Sequence, residues 1–290
     1  APIDFFTFQP FANGRLPFLH PVGQGVAALY PLPNRATPGQ NFVSAPTLRD
    51  DGNKADLRLD HKLGDSGMLS ARYSMANRFR FEPFAGDTLT AVPGFGNNVD
   101  GRGRNLMIGE THTFGGGWVN DIRFGFNRAG AHTFHENSGT SLNRQVGLPD
   151  FSTRNRSLGL SFIQTTGLSP LGDESVNPQD TRADSWQLSD TLSVVRGRHF
   201  LEAGFEQRAI RSRAFRDVQS RGQISFTDFA FTQSALADLL LGLPTFTGGA
   251  VSDNEQNRRT WATNLFVSDS WRVRPDLTLS LGLRYEYNEP

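Results

Sequence analysis

The sequence contains no cysteine, which excludes a disulfide scaffold and any metal cluster built on thiolates, and leaves the redox compartment open. Lysine is nearly absent: Lys54 and Lys62 stand within a combined Lys and Arg count of 29, matched by 29 acidic residues. A formal charge of zero gives nucleic acid no electrostatic purchase, so no nucleic-acid partner is expected. No stretch reaches the ~18 apolar residues of a membrane helix, which excludes helical spans but not strands, whose alternation averages out of any hydropathy window. A repeat of fixed period is also missing, which argues against propellers and solenoids. The chain opens at Ala1 without Met or a basic-apolar signal and stops at Pro290 directly after a strongly patterned strand. It therefore reads as a stretch of something longer.

Phenylalanine is plentiful, at 24 residues, although apolar residues make up only 37% and mean hydropathy is −0.42. Such apolar residues must be spread thinly and regularly. The C-terminal end shows how: Leu277, Leu279, Leu281, Leu283, Tyr285 and Tyr287 alternate with Thr278, Ser280, Gly282, Arg284 and Glu286. This is the period of a strand with one apolar face, and it is longer than the ~5–6 residues of an ordinary soluble strand. A strand crossing a bilayer needs roughly 9–11. Just upstream, Trp261 to Val273 alternates in the same way and joins it through Arg274, Pro275 and Asp276, a short hairpin connection.

The same unit recurs at Ala55–Met75 around Gly64–Gly67, at Leu106–Phe126 around Gly115–Gly117, and at Trp186–Phe205 around Arg196–Arg198. Between hairpins lie long Gly-, Asn-, Pro- and Arg-rich segments near 78–103, 129–181 and 212–220. Short turns at one end and long loops at the other match outer-membrane barrels. Between the strands near 199 and 273 the pattern suggests one inward and one outward pass, Gly222–Phe231 and Thr245–Val251. Ser234–Leu243 then becomes a short helix at the short-turn end, with Ala235, Leu236, Leu239 and Leu240 as its apolar stripe and Gly242 and Pro244 ending it. Residues 1–52 lack strand periodicity, apart from a short helix at Val22–Tyr30, and read as a loop or surface segment; 53–290 read as a partial β-barrel.

The expected fold is all-β: an antiparallel transmembrane β-barrel segment of about ten strands, with long extracellular loops and short periplasmic turns. Polar positions in each strand would line a lumen. Aromatics near strand ends, Trp118, Trp186 and Trp271 by the short turns and Tyr73, Tyr285 and Tyr287 towards the other rim, suit interfacial girdles. Leu277, Leu279, Leu281, Leu283, Tyr285 and Tyr287 are the expected lipid-facing set. The alternative is a soluble extracellular β-sandwich, as in carbohydrate-binding or adhesion modules, where that face would be buried against a second sheet.

No catalytic, cofactor-binding or metal site emerges, and no enzyme activity is expected. Gly64-Asp-Ser-Gly67 resembles the nucleophile loop of trypsin-like proteases, but Gly, Asp and Ser are what a tight turn wants, and Met68 follows. No Gly-x-Ser-x-Gly elbow or Walker loop is present. His132, His135 and Glu136 have ligand-like spacing yet read as solvated loop. Asp50-Asp51-Gly52-Asn53 lacks the rest of a calcium loop and reads as a turn. Gly94, Gly96, Gly101 and Gly103 read as loop. Arg208, Arg211, Arg213 and Arg216, with Arg221, and Arg258 with Arg259, cluster near the expected outer rim. They suit lipopolysaccharide phosphates or an anionic substrate, or else simple pairing with Asp217, Asp228, Asp253 and Glu255.

The segment Asn264–Asn288 resembles the barrel hairpin of TonB-dependent outer-membrane receptors, specifically the Oar-like group that carries an N-terminal carboxypeptidase-regulatory-like domain. Ala28–Asn34, Arg58–His61 with Ala71–Ser74, Thr111–Phe114 with Val119–Asn127, Val195–His199 and Ala237–Pro244 resemble the same group in the same order. The resemblance implies a bacterial outer-membrane location, a barrel of about 22 strands occluded by a plug, and uptake energised through TonB. Its implied partners are outer-membrane lipids, the TonB system acting through a plug that this sequence does not contain, and a substrate that is a peptide, carbohydrate or chelate. No cofactor is implied.

Overall fold

An alternating chain can bury its apolar side only as an extended strand, and the computed structural model shows that response along most of the sequence. It describes residues 1–84, 92–251 and 254–289. The elements are α1 (Pro21–Ala27), β1 (Arg49–Leu63), β2 (Gly67–Glu82), β3 (Asn97–Phe114), β4 (Trp118–His135), α2 (Leu142–Gln145), β5 (Phe162–Thr165), β6 (Gln179–Arg196), β7 (His199–Arg216), β8 (Gln223–Phe226), α3 (Ala235–Leu241), β9 (Phe246–Gly248), β10 (Gln256–Arg274) and β11 (Leu277–Asn288). Eight strands form one sheet in the order β1-β2-β3-β4-β6-β7-β10-β11, and every pairing is antiparallel. β1 and β11 are its open edges among the described residues. This is a partial barrel wall.

Residues directly opposite in an antiparallel ladder share a face, so the register sorts side chains without ambiguity. One row reads Leu57, Tyr73, Leu106, Phe126, Trp186, Ala209 and Trp261 across successive strands. A parallel row reads Leu59, Ala71, Ile108, Phe124 and Leu188. That face is uncovered: Leu59 is 63% exposed, Leu265 48% and Leu283 73%. The buried apolar cluster lies elsewhere, since Val26, Val92, Phe95, Val146, Leu160, Ile163, Leu171, Ile224, Phe226, Ala235 and Leu239 all come from outside the eight wall strands. A sandwich would pack its apolar sheet faces together; this sheet does not.

The second body is a cap at the long-connection end, built from the N-terminal segment and the described parts of 83–96, 136–178 and 217–255. β5, β8 and β9 form its small sheet. α3 is capped by the Ser234 hydroxyl, which accepts from the Ala237 amide, and ends at Gly242 in the left-handed region (φ 73°). α1 lies against α3 so closely that a Cβ on Gly23 would reach 2.9 Å from the Leu240 Cα. Only glycine permits that approach.

Two expectations change here. Gly222–Phe231 and Thr245–Val251 do contain strands, but β8 and β9 pair within the cap, while β7 pairs directly with β10. An outward β7 followed by an inward β10 needs no intervening pass, so α3 stays with the cap at the long-connection end. Its Ala235 and Leu239 are buried, whereas Leu236 is 47% exposed. The wall strands are also longer than the alternation suggested, reaching 19 residues in β10. They therefore absorb parts of all three expected loops, and β1 starts at Arg49, ahead of the boundary at 52.

Candidate functional site

The polar face of the wall carries charge in matched pairs. Arg58 meets Asp60 at 2.8 Å, Arg72 meets Asp56 at 3.3 Å and Arg123 meets Asp121 at 2.6 Å. Glu206 accepts from Gln187 at 2.7 Å, Arg208 at 2.9 Å and Asn264 at 3.4 Å, tying three strands together. Exposed pairs of this kind contribute little stability each, but they leave a hydrated surface close to neutral. Gly204 seats the Phe266 ring on this face, where a Cβ would come within 2.6 Å of both that ring and the Asp190 carbonyl oxygen.

The apolar face has polar limits at both ends. Near the short turns, Asn120 donates to Asp190 at 2.5 Å, and His199 pairs with Asp269 at 2.7 Å while stacking on Trp271. Towards the long connections the same face turns basic. One cross-strand row holds Arg104, Arg128, Asp184, Arg211 and Arg259, and the next holds Arg102, Gly130, Arg182, Arg213 and Asn257. Asp184 is shared by Arg128 at 2.6 Å and Arg182 at 3.0 Å.

All six residues Leu277, Leu279, Leu281, Leu283, Tyr285 and Tyr287 lie on the uncovered apolar face of β11. Arg208, Arg211, Arg213 and Arg216 do not form one site. A regular strand alternates, so Arg211 and Arg213 extend the apolar face, while Arg208 and Arg216 lie on the polar face. Arg208 pairs with Glu206. Of the acids named as simple partners, Asp228 accepts from the Ala235 amide at the start of α3, Asp217 accepts from Ser220, and Asp253 lies outside the described residues. Arg104 and Arg128 escaped sequence reasoning because only the register reveals their row. Trp186 is also misplaced by sequence: β6 runs on to Arg196, which puts this indole at the outer rim beside Phe126, 5.6 Å between ring centroids.

The remaining motifs resolve simply. Gly64–Ser66 is the β1–β2 turn. Asp50–Asn53 lies within β1, not in a turn, with Asp50 paired to Arg78. Gly101 and Gly103 sit inside β3 rather than in a loop. His132 and His135 belong to the outer end of β4, and His135 is buried with its Nε2 on the Leu158 carbonyl. No group of three metal-type ligands occurs among the described residues.

Within the cap, Asp173 is fully buried and accepts from the Leu160 amide at 2.8 Å and the Asn137 side chain at 2.9 Å. Burial pushes its carboxyl up to about 6, against the pull of those donors and of Arg221. A raised carboxyl favours the folded cap below its ordinary value of 3.8, and that contribution, about 3 kcal/mol, fades as pH rises through about 6. The protection factors of cap amides, taken relative to the intrinsic exchange rate at each pH, are therefore expected to fall across that interval, with Asp173→Asn abolishing the step. A flat wild-type profile between about pH 4 and about pH 8 rejects the assignment.

An open antiparallel sheet with one uncovered apolar face, one polar face, short turns at one end and long connections at the other is a section of a transmembrane β-barrel. The chain belongs to the outer membrane beta barrel domain family, whose description fits residues 3–290. It is an outer-membrane protein, with the short turns periplasmic and the cap extracellular. Among solved structures it is similar to the outer membrane transporter YddB from Escherichia coli, with TM-score 0.52 and 10% identity over 86% of this chain and 29% of that one. It is also similar to FpvAI in complex with pyocin S2, at 0.50 and 13% over 83% and 31%. FpvA of P. aeruginosa with a heterologous pyoverdine and iron scores 0.49 at 13%, over 83% and 30%. The chain thus spans 29–31% of the length of these structures. No curated protein matches its sequence.

Proposed function

We propose that this wall belongs to a TonB-dependent outer-membrane receptor of the Oar-like group, presenting lipid with its apolar face and surrounding a substrate path with its polar face, without covalent catalysis. The observation that carries the reading is the pairing of a largely apolar, uncovered face with an ion-paired polar one on the same eight strands. The likeness of Asn264–Asn288 to receptor hairpins and the fold shared with a transporter support it. FpvAI accommodates a pyocin. Here the cargo is a peptide, carbohydrate or chelate, met first by the extracellular cap.

The absence of cysteine from these 290 residues makes the test direct, because each thiol introduced here is the single one in the wall. In the intact protein in outer membranes, Leu281→Cys should react with a lipid-soluble maleimide and resist a water-soluble one, whereas Ser280→Cys should show the reverse. The same protein in a planar bilayer should pass no steady current, as a plugged receptor would. A stable open conductance selects a plug-free porin, and equal labelling of the two thiols removes the wall altogether.

A further inference from the structure

We propose that the outer rim of the apolar face holds a phosphorylated, acylated lipid of the outer leaflet, its chain in the trough between Trp186 and Trp261 and its phosphate on Arg211 and Arg259. Trp186, Ala209 and Trp261 are direct neighbours across β6, β7 and β10. A methyl group between two indoles leaves a trough, and a cavity of about 380 Å³ lies there, floored further down by Leu188 and closed above by the two arginines. On this face the lining where a chain would run is Phe124, Leu188 and the two indoles, interrupted by Gln207, whose side chain accepts from Thr263, and it is basic where a headgroup would sit.

The charge arrangement calls for an anion. Arg211 and Arg259 face each other across adjacent strands, where Cβ atoms stand ~4.5–5.5 Å apart and like charges destabilise. Arg211 also lies opposite Asp184, but that carboxylate is taken by Arg128 and Arg182. Both Arg211 and Arg259 are exposed, and neither has an ion-pair partner among the described residues. Arg211 instead rests over the Trp186 ring, 5.3 Å from its centroid, which fixes its fork at the mouth of the trough. A guanidinium fork matches phosphate bidentately, and tryptophans settle at the membrane interface, so the arginines just beyond them stand at headgroup depth.

This inference rests on the membrane-wall reading, and one experiment separates the two. The intact protein is inserted into phosphatidylcholine vesicles doped with lipid A, with dephosphorylated lipid A, or with lipid A while inorganic phosphate is added in solution. Vesicles are floated, the protein is extracted with its retained lipid, and that lipid is quantified by mass spectrometry. Retention of the phosphorylated lipid should exceed that of its dephosphorylated form at least about tenfold. Arg211→Glu with Arg259→Glu should erase the preference. Ala209→Leu, which fills the trough and keeps both guanidiniums, should lower retention, and inorganic phosphate should compete only weakly. Protein that does not float overturns the wall reading and this one with it. Protein that floats but retains both lipids equally, or keeps its preference in the double variant, overturns this inference alone. So does undiminished retention by Ala209→Leu, or displacement by free phosphate as effective as by the lipid.

Discussion

Phe124→Arg is expected to cost the folded wall about 2–4 kcal/mol in a bilayer, the penalty of a guanidinium near the midplane of a barrel's lipid face. Phe124 has Ile108 and Leu188 beside it across the ladder, and Ile122 and Phe126 two positions away along its own strand. The nearest carboxylates on that face, Glu110 and Asp190, lie one row nearer the short turns and already have partners in His112 and Asn120, so an arginine there could reach charge or water only by bending towards the interface. Gln187→Arg, on the adjoining strand but the opposite face, should cost less than about 0.5 kcal/mol, because Glu206 already accepts from Gln187 at 2.7 Å and would receive the new charge. Urea titration of folding into phosphatidylcholine vesicles reads both values. Equal costs would mean that Phe124 does not face hydrocarbon.

The second large effect concerns the cap. Arg221→Leu should detach it while leaving the wall strands paired. Arg221 is only 3% exposed; its Nη2 donates to the Glu174 carbonyl and its Nη1 to the Ser157 carbonyl at 3.4 Å. Asp173, Asp217 and Glu174 supply the surrounding negative charge. Removing the cation leaves buried carboxylates uncompensated and two carbonyls unpaired, a loss of about 3–5 kcal/mol. The loss should be largest above about pH 6, where Asp173 is ionised. Proteolysis should then cut within 136–178 and 217–255 while the strand ladders stay protected; protection of both regions at the wild-type level would refute the role given to Arg221.

The inner halves of the strands were legible because hydrocarbon on one side and water on the other impose period two, as at Leu277–Tyr287. Their outer halves were not. Beyond the aromatic rim neither face meets lipid, and Gly101, Gly103, Ala129 and Ala183 replace the alternation on the polar side while arginines occupy the other. Sequence boundaries thus fell at the edge of the hydrocarbon instead of the end of the strand. The cap was illegible for another reason: Val26, Phe95, Leu160, Ile224 and Leu239 come from distant segments, and no local pattern announces that they meet. The arginine row needs both face and register, and a sequence supplies only the first.

Since the buried apolar cluster takes nothing from the wall, the chain is held together in two different solvents. Cooling weakens the cap, which owes its cohesion to water's rejection of hydrocarbon, but has no such hold on strands whose apolar side chains already lie in oil. Temperature and bilayer composition are therefore separate controls on one polypeptide: chilling can loosen the cap while the membrane keeps the wall sealed.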